Sequence, residues 1–346
     1  MVTVTLGEGH TPLVGSARIG PALGLTRLYF KLEQTNPSGS YKDRFVAAEV
    51  AHVLASGAKG CLATSSGNTG SSLAAYCARY NLPCVIVVGS NTPAGKLTQM
   101  QAHGARVIRV ADFLTSPSVA KMAFGYLAEI AAELHFSLVV SAYRYCPIGM
   151  AGVESIAREL IEQCPPPIHH VFVPVGGGGL FTAVCRGFEK ASGAKPFIHC
   201  VQPAGCPTVV EAYETGADSI KSVESTTRIS GLSVPFDIDA SLALSHLRKS
   251  GGRGIRVSDE EVFEAQQAML SQEGIYTEPA GATALAGLLR AFRAGFVEPD
   301  ETMVCLVTGH GFKDPDSISR AASLFPDSSV SVEELKSAIR GRVTCG

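Results

Sequence analysis

The sequence predicts an α/β protein in which mostly parallel, twisted sheets are covered by helices. Three observations lead there. Short apolar runs alternate with longer helical stretches along the whole chain. Several of those runs are apolar throughout, as at 60–63 and 84–88, which suits strands buried on both faces of a sheet. Glycine-bearing motifs recur where a strand gives way to a helix, the place where such sheets bind ligands.

Expected strands span residues 28–32, 60–63, 84–88, 106–110, 138–140, 170–174, 197–202 and 303–308, rich in Val, Ile and Leu. Expected helices lie between them, over 45–54, 70–80, 96–103, 121–134, 150–163, 180–192, 259–273 and 280–294. Ser258, three residues before Glu261, makes a capping box at the start of the seventh helix. Residues 214–254 are polar and read as poorly periodic, so a long surface excursion over the site is expected there.

With 346 residues the chain has room for two domains or one large one. Hydrophobic residues make up 46% and charged residues 17%, which favours a core-forming protein over a disordered one. A formal charge of −2 without blocks of like charge argues against nucleic-acid partners and anionic membrane surfaces. No apolar run approaches the ~20 residues of a membrane span, and residues 1–9 lack the pattern of a signal peptide. None of the ten cysteines forms a Cys-x-x-Cys pair, and Cys61, Cys77, Cys84, Cys185, Cys200 and Cys305 sit in apolar segments. They read as reduced core residues, so a cytoplasmic location and no metal site are expected.

Four segments carry the candidate chemistry. Lys42 ends the turn-rich stretch Asn36-Pro37-Ser38-Gly39-Ser40-Tyr41 and precedes a helical run. A lysine at such a junction is placed to form a Schiff base with an aldehyde cofactor, and the helix N-terminus disfavours its charged form. Most lysines are solvated surface groups, so the weight comes from the partner motifs. Gly176-Gly177-Gly178-Gly179 joins a strand to a helix, where backbone N–H groups converge on a phosphate; otherwise it is a flexible turn. It has neither the Gly-Lys-Ser/Thr ending of a nucleotide-phosphate loop nor the Gly-x-Gly-x-x-Gly pattern. Thr64-Ser65-Ser66-Gly67-Asn68-Thr69-Gly70 offers hydroxyls, an amide and free N–H groups to a substrate carboxylate, with Asn68 a donor to a phenolate oxygen of the cofactor. Its plain alternative is a helix N-cap by Ser66 or Asn68. Thr308 places a neutral hydroxyl at a strand's carboxyl end, a partner that leaves a pyridine nitrogen largely unprotonated. His310 reads equally as a site residue or as a structural histidine in a turn. Together the segments suggest a pyridoxal-phosphate enzyme acting on a small amino acid.

In this order the segments resemble the fold-type-II, or tryptophan-synthase-β-like, family of pyridoxal-phosphate enzymes, and within it the threonine synthase group. Gly7-Glu8-Gly9-His10-Thr11-Pro12-Leu13 is similar to that group's N-terminal Gly-Glu-Gly-x-Thr-Pro-Leu. Residues 36–44 resemble its lysine motif nearly residue for residue, and Ser66-Gly67-Asn68-Thr69 its substrate loop. Glu278-Pro279-Ala280 and residues 308–314 resemble its C-terminal signatures. The resemblance implies pyridoxal 5'-phosphate as cofactor and Lys42 as Schiff-base lysine and general base. It implies Asn68 at the cofactor's 3′ oxygen, Gly176, Gly177, Gly178 and Gly179 at its phosphate, and Thr308 at its ring nitrogen. Ser65, Ser66 and Thr69 would help hold the substrate. It also implies a large cofactor-binding domain, residues 1–42 and 147–346, a small mobile substrate-binding domain, residues 43–146, and a homodimer.

Two departures stand out. The group's usual phosphate loop is Gly-Asn-Ala-Gly-Asn, where this chain has four glycines, as serine/threonine dehydratases do. Its Asn-Pro-x-Arg-x-x-Gly-Gln stretch is replaced by residues 143–150, with Cys146 at the arginine's place and Arg144 nearby as substitute. The expected activity is that of a pyridoxal-phosphate lyase of this group, turning O-phosphohomoserine into threonine and phosphate by elimination and water addition. A serine/threonine-type ammonia-lyase and a β-replacement enzyme stay open beside it. A non-catalytic pyridoxal-phosphate-binding protein and a nucleotide-dependent oxidoreductase complete the readings. Retention of Lys42, Asn68 and Thr308 opposes the first, and the lack of an early Gly-x-Gly-x-x-Gly opposes the second.

Overall fold

The computed structural model describes residues 3–113, 117–193, 195–325 and 327–343. The chain opens with β1 (Leu13–Gly15), α1 (Ile19–Ala22), β2 (Leu28–Lys31) and α2 (Lys42–Ala55). It continues through β3 (Gly60–Ala63), α3 (Asn68–Arg79), β4 (Cys84–Gly89), α4 (Ala94–Ala102), β5 (Arg106–Val110), α5 (Pro117–Leu134) and β6 (Phe136–Val139). Next come α6 (Pro147–Val153), α7 (Ser155–Gln163), β7 (His170–Pro174), α8 (Gly179–Lys190), β8 (Phe197–Pro203), α9 (Thr208–Glu214) and α10 (Ala240–Ser250). The last are β9 (Gly254–Val257), α11 (Asp259–Gln272), α12 (Pro279–Arg293), β10 (Met303–Leu306), α13 (Pro315–Ala322) and α14 (Leu335–Val343).

The α/β expectation holds. One sheet runs β1-β2-β10-β7-β8-β9 and a second runs β5-β4-β3-β6. All pairs are parallel except the edge pair β1–β2. The apolar runs are the buried strands: β3, β7 and β10 are buried at every position and β4 at all but Val85. One core packs α2, α3, α6, α7 and α8 between the sheets, and another lies under α11 and α12. The Ser258–Glu261 capping box forms in both directions at α11. The cysteines of the described residues are all buried and unpaired. Among the described residues no helix is long and apolar enough to cross a membrane.

Two expectations are corrected. The single helix over 150–163 is two, because the chain turns at Glu154, where Ser155 Oγ donates to Gly152 O at 2.7 Å and competes with the helical ladder. Residues 214–254 are not only a surface excursion. Ala240, Ala243, Leu244 and Leu247 recur at helical spacing and bury one face of α10, and Gly254 opens the inner edge of β9 beside β8. Part of the segment, around 230–238, does line the cavity described next.

Candidate active site

Four strand ends meet around one cavity of ≈ 1090 Å³. The chain after β3 brings Thr64 to Thr69, after β6 Ser141, after β7 Val175 to Gly179, and after β10 Thr308. Parallel strands all point their carboxyl ends the same way, so their loops pool there. Lys42, the first residue of α2, and Glu278, at the N-cap of α12, complete the lining used here.

Lys42 Nζ donates to Ser141 Oγ at 2.7 Å, and Ser141 Oγ is 3.0 Å from Thr69 Oγ1. The lysine loop is tied down on both sides. Tyr41 N donates to Thr308 O at 3.1 Å, joining it to the end of β10. Asp43 accepts from Ser38 N at 2.6 Å, Ser38 Oγ at 2.5 Å and Ser72 Oγ at 2.5 Å. Burial raises the Asp43 carboxyl, and these donors oppose the rise.

Two residues further on, Arg44 donates to Glu33 and Glu159, and Lys31 donates to the same Glu159, all of them buried. Burial would raise Glu159, but the Arg44 and Lys31 contacts bring it down to about 2.

At the glycine loop, Gly178 has φ +98° and is the N-cap of α8. A Cβ there would sit 2.6 Å from Asp239 O. The loop therefore needs glycine for conformation and for space. The unpaired first-turn N–H groups of α8 stand at the cavity. Asp239 fastens the loop to the next one. Its N donates to Gly177 O at 2.9 Å, while its carboxylate accepts from Tyr143 N at 2.7 Å and Arg144 N at 3.2 Å. Replacing Gly178 by alanine is expected to lower stability by about 1–3 kcal/mol. Denaturant unfolding of parent and variant checks this, and an unchanged midpoint would show that the loop tolerates a side chain there.

At the third loop, α3 has Gly67 as N-cap and no side-chain cap, so neither Ser66 nor Asn68 plays that part. Ser65, Ser66, Asn68 and Thr69 all line the cavity. Asn68 Nδ2 donates to Glu278 Oε1 at 2.8 Å. Burial pushes the Glu278 carboxyl up to about 7, opposed by the Asn68 donor and the charge of Lys313.

Arg144 is not brought in: its side chain is exposed, 5.8 Å from the Tyr145 ring centre, and it does not line the cavity. The cations that do so, among the described residues, are Lys42, Lys96 and Lys313. His310 also stays outside. Its Nδ1 accepts from Phe312 N at 3.3 Å and its ring packs on Tyr276 and Phe312, which is the structural reading. Sequence reasoning missed Ser141, Asp239 and the role of Glu278. Ser141 had a signal, since it follows the carboxyl end of an expected strand, and Glu278 stood in a recognised motif without a role assigned to it; Asp239 had none.

A family model described as "Pyridoxal-phosphate dependent enzyme" matches residues 4–309. The chain belongs to the pyridoxal-phosphate-dependent enzyme family. Among curated relatives of this enzyme, "Threonine synthase" of Methanocaldococcus jannaschii is 34% identical over 92% of this chain and 78% of that protein. "Threonine synthase" of Bacillus sp. (strain ULM1) is 33% identical over 98% of this chain and 93% of that protein. Among solved structures, the processed form of threonine deaminase isoform 2 from Solanum lycopersicum superposes with TM-score 0.76. It covers 92% of this chain and 88% of that one, at 22% identity. The donor set fits the family's cofactor: the Lys42 amine held at Ser141, the Asn68 amide, the hydroxyl of buried Thr308, and a glycine cradle that a Cβ at Gly178 would fill.

Proposed function

We propose that this pyridoxal-phosphate enzyme converts O-phosphohomoserine to threonine and phosphate. The reading is carried by one observation: Lys42, Asn68, Gly176 to Gly179 and Thr308, remote in sequence, line one cavity in a chain whose curated relatives include threonine synthases.

In this reading Lys42 Nζ would hold the cofactor through its aldehyde, and its amine would serve as the base for the substrate's α-proton. Bound pyridoxal phosphate supplies the electron withdrawal that stabilises the carbanion. Asn68 would donate to its 3′ oxygen, Gly176, Gly177, Gly178 and Gly179 would cradle its phosphate, and the Thr308 hydroxyl would serve its ring nitrogen. Ser141, 2.7 Å from Nζ, steers the lysine amine, and Thr69 holds Ser141. Ser65, Ser66 and Thr69, with the N–H groups opening α3, hold the substrate carboxylate. The substrate phosphate lies toward Lys96, a cavity cation, rather than toward the exposed Arg144. Residues 43–146 act as a small domain that closes over the substrate and excludes water, moving against residues 1–42 and 147–346. The enzyme works as a cytoplasmic homodimer. The buried, unpaired cysteines support a reducing compartment.

The exposed position of Arg144 favours a second reading, a serine/threonine ammonia-lyase or β-replacement enzyme, whose leaving group needs no guanidinium. The deciding experiment gives the cofactor-loaded protein O-phospho-L-homoserine and measures phosphate and threonine together. Equal amounts of both are expected. Absence of phosphate, with 2-oxo acid and ammonia formed from serine or threonine, would establish the second reading instead.

A further inference from the structure

Glu278 is a buried carboxyl at the cavity for which the reaction above has no use. Its Oε1 accepts from Asn68 Nδ2 at 2.8 Å. The two ends of a carboxamide have nearly the same shape but opposite hydrogen-bonding character, and an ionised carboxylate can only accept. An acceptor beside Asn68 therefore sorts the two ends. We propose that Glu278 is a positioning residue whose carboxylate turns the Asn68 amide so that a nitrogen-bound hydrogen, not the oxygen, meets the cofactor's 3′ oxygen. This rests on the assignment of Asn68 to that oxygen.

Three features support a built pair rather than a chance contact. The space for it is made by Gly309, where a Cβ would lie 2.0 Å from Glu278 Oε1 and 3.1 Å from Asn68 Nδ2. The backbone of Glu278 is held to the same strand end as the lysine loop. Its N donates to Gly309 O at 3.1 Å, and Tyr41 N donates to Thr308 O at 3.1 Å. Among the described residues the Asn68 side chain makes no other hydrogen bond, so its second N–H is left for the cavity.

Burial and the groups facing Glu278 set the pH at which the sorting works. Burial above all, and Asp314, raise its carboxyl, while the Asn68 donor, Lys313 and Lys96 favour its ionised form, and the balance lies at about 7. Lys313 is itself held by Gln99 Oε1 at 2.5 Å, and Lys42 shares the cavity. Above that pH Glu278 accepts from Asn68. Below it Glu278 gains a proton to donate, which suits the Asn68 oxygen and lets the amide turn over.

The test compares Glu278→Gln, Asn68→Ala and the double variant, each loaded with pyridoxal phosphate. Readouts are apparent cofactor affinity and the pH dependence of the bound cofactor's visible absorbance, with circular dichroism to confirm folding. Glutamine keeps the shape and loses the charge. The expected result is a spectral transition near pH 7 in the parent protein that is absent in Glu278→Gln. Cofactor affinity should fall about tenfold in that variant. In the Asn68→Ala background Glu278→Gln should change nothing further. An equal effect of Glu278→Gln with and without Asn68, or no effect of either substitution, overturns the proposal. These readouts do not depend on threonine formation. A protein showing the expected pattern but releasing no phosphate from O-phosphohomoserine loses the proposed reaction and keeps this inference.

Discussion

Lys42→Ala is expected to abolish the visible absorbance of lysine-bound cofactor and to lower turnover by at least ~10²–10⁴-fold, the range for removing a positioned general base. The geometry leaves no substitute. Lys42 Nζ is the amine that donates to Ser141 at 2.7 Å, while Lys313 is committed to Gln99 at 2.5 Å and Lys96 enters from α4. Added small amines should restore a fraction of turnover, because the cavity around Ser141 and Thr69 persists when the side chain is cut back. Absorbance of the loaded protein and single-turnover product formation check this together. Undiminished turnover in the variant would remove Lys42 from the mechanism.

The largest loss of stability is expected from Glu159→Ala, at ~3–5 kcal/mol, the cost of stranding buried partners of an ion pair. Glu159 binds Arg44 Nη1 at 2.5 Å and Lys31 Nζ at 2.6 Å, and it also accepts from His10 N at 2.9 Å. Its removal leaves buried Arg44 paired with Glu33, and buried Lys31 with the neutral acceptors Thr11 O and Gln163 Oε1 in place of an ion pair. The damage reaches the site, since Arg44 lies two residues after Lys42 in the first turn of α2. The same network gives a pH signature. Glu159 lies at about 2, below its ordinary 4.5, so its contribution is complete above about pH 4.5 and is lost as pH falls through 2. Denaturant unfolding of parent and variant at neutral and acid pH measures both. A loss under about 1 kcal/mol at neutral pH, as for a surface pair, would show that the cluster is not buried in solution.

Legibility in the sequence followed the range of the interactions involved. The strands β3 and β7 and the helix α11 could be read directly, because apolar runs and a capping box are local patterns. The glycine loop and the Lys42 turn were readable for the same reason: a strand-to-helix junction is built from neighbours in the chain. The break at Glu154 was not, since it depends on how one serine side chain competes with the helix. Nor was the burial of α10, whose apolar stripe sits inside an otherwise polar stretch. Arg144 shows the limit best. Its residue type suited a phosphate, yet Asp239 takes the backbone N–H groups of Tyr143 and Arg144, and the guanidinium ends beside Tyr145.

The sequence by itself determined the fold class, the family's cofactor and the motif residues, because each is written in patterns a few residues long. Only the tertiary structure decided which side chains are partners: Lys42 with Ser141, 99 residues apart, and Asn68 with Glu278, 210 residues apart. Such pairs form when parallel strands align their carboxyl ends around one cavity, and a hydrogen bond of that kind depends on distances in space that no spacing along the chain records.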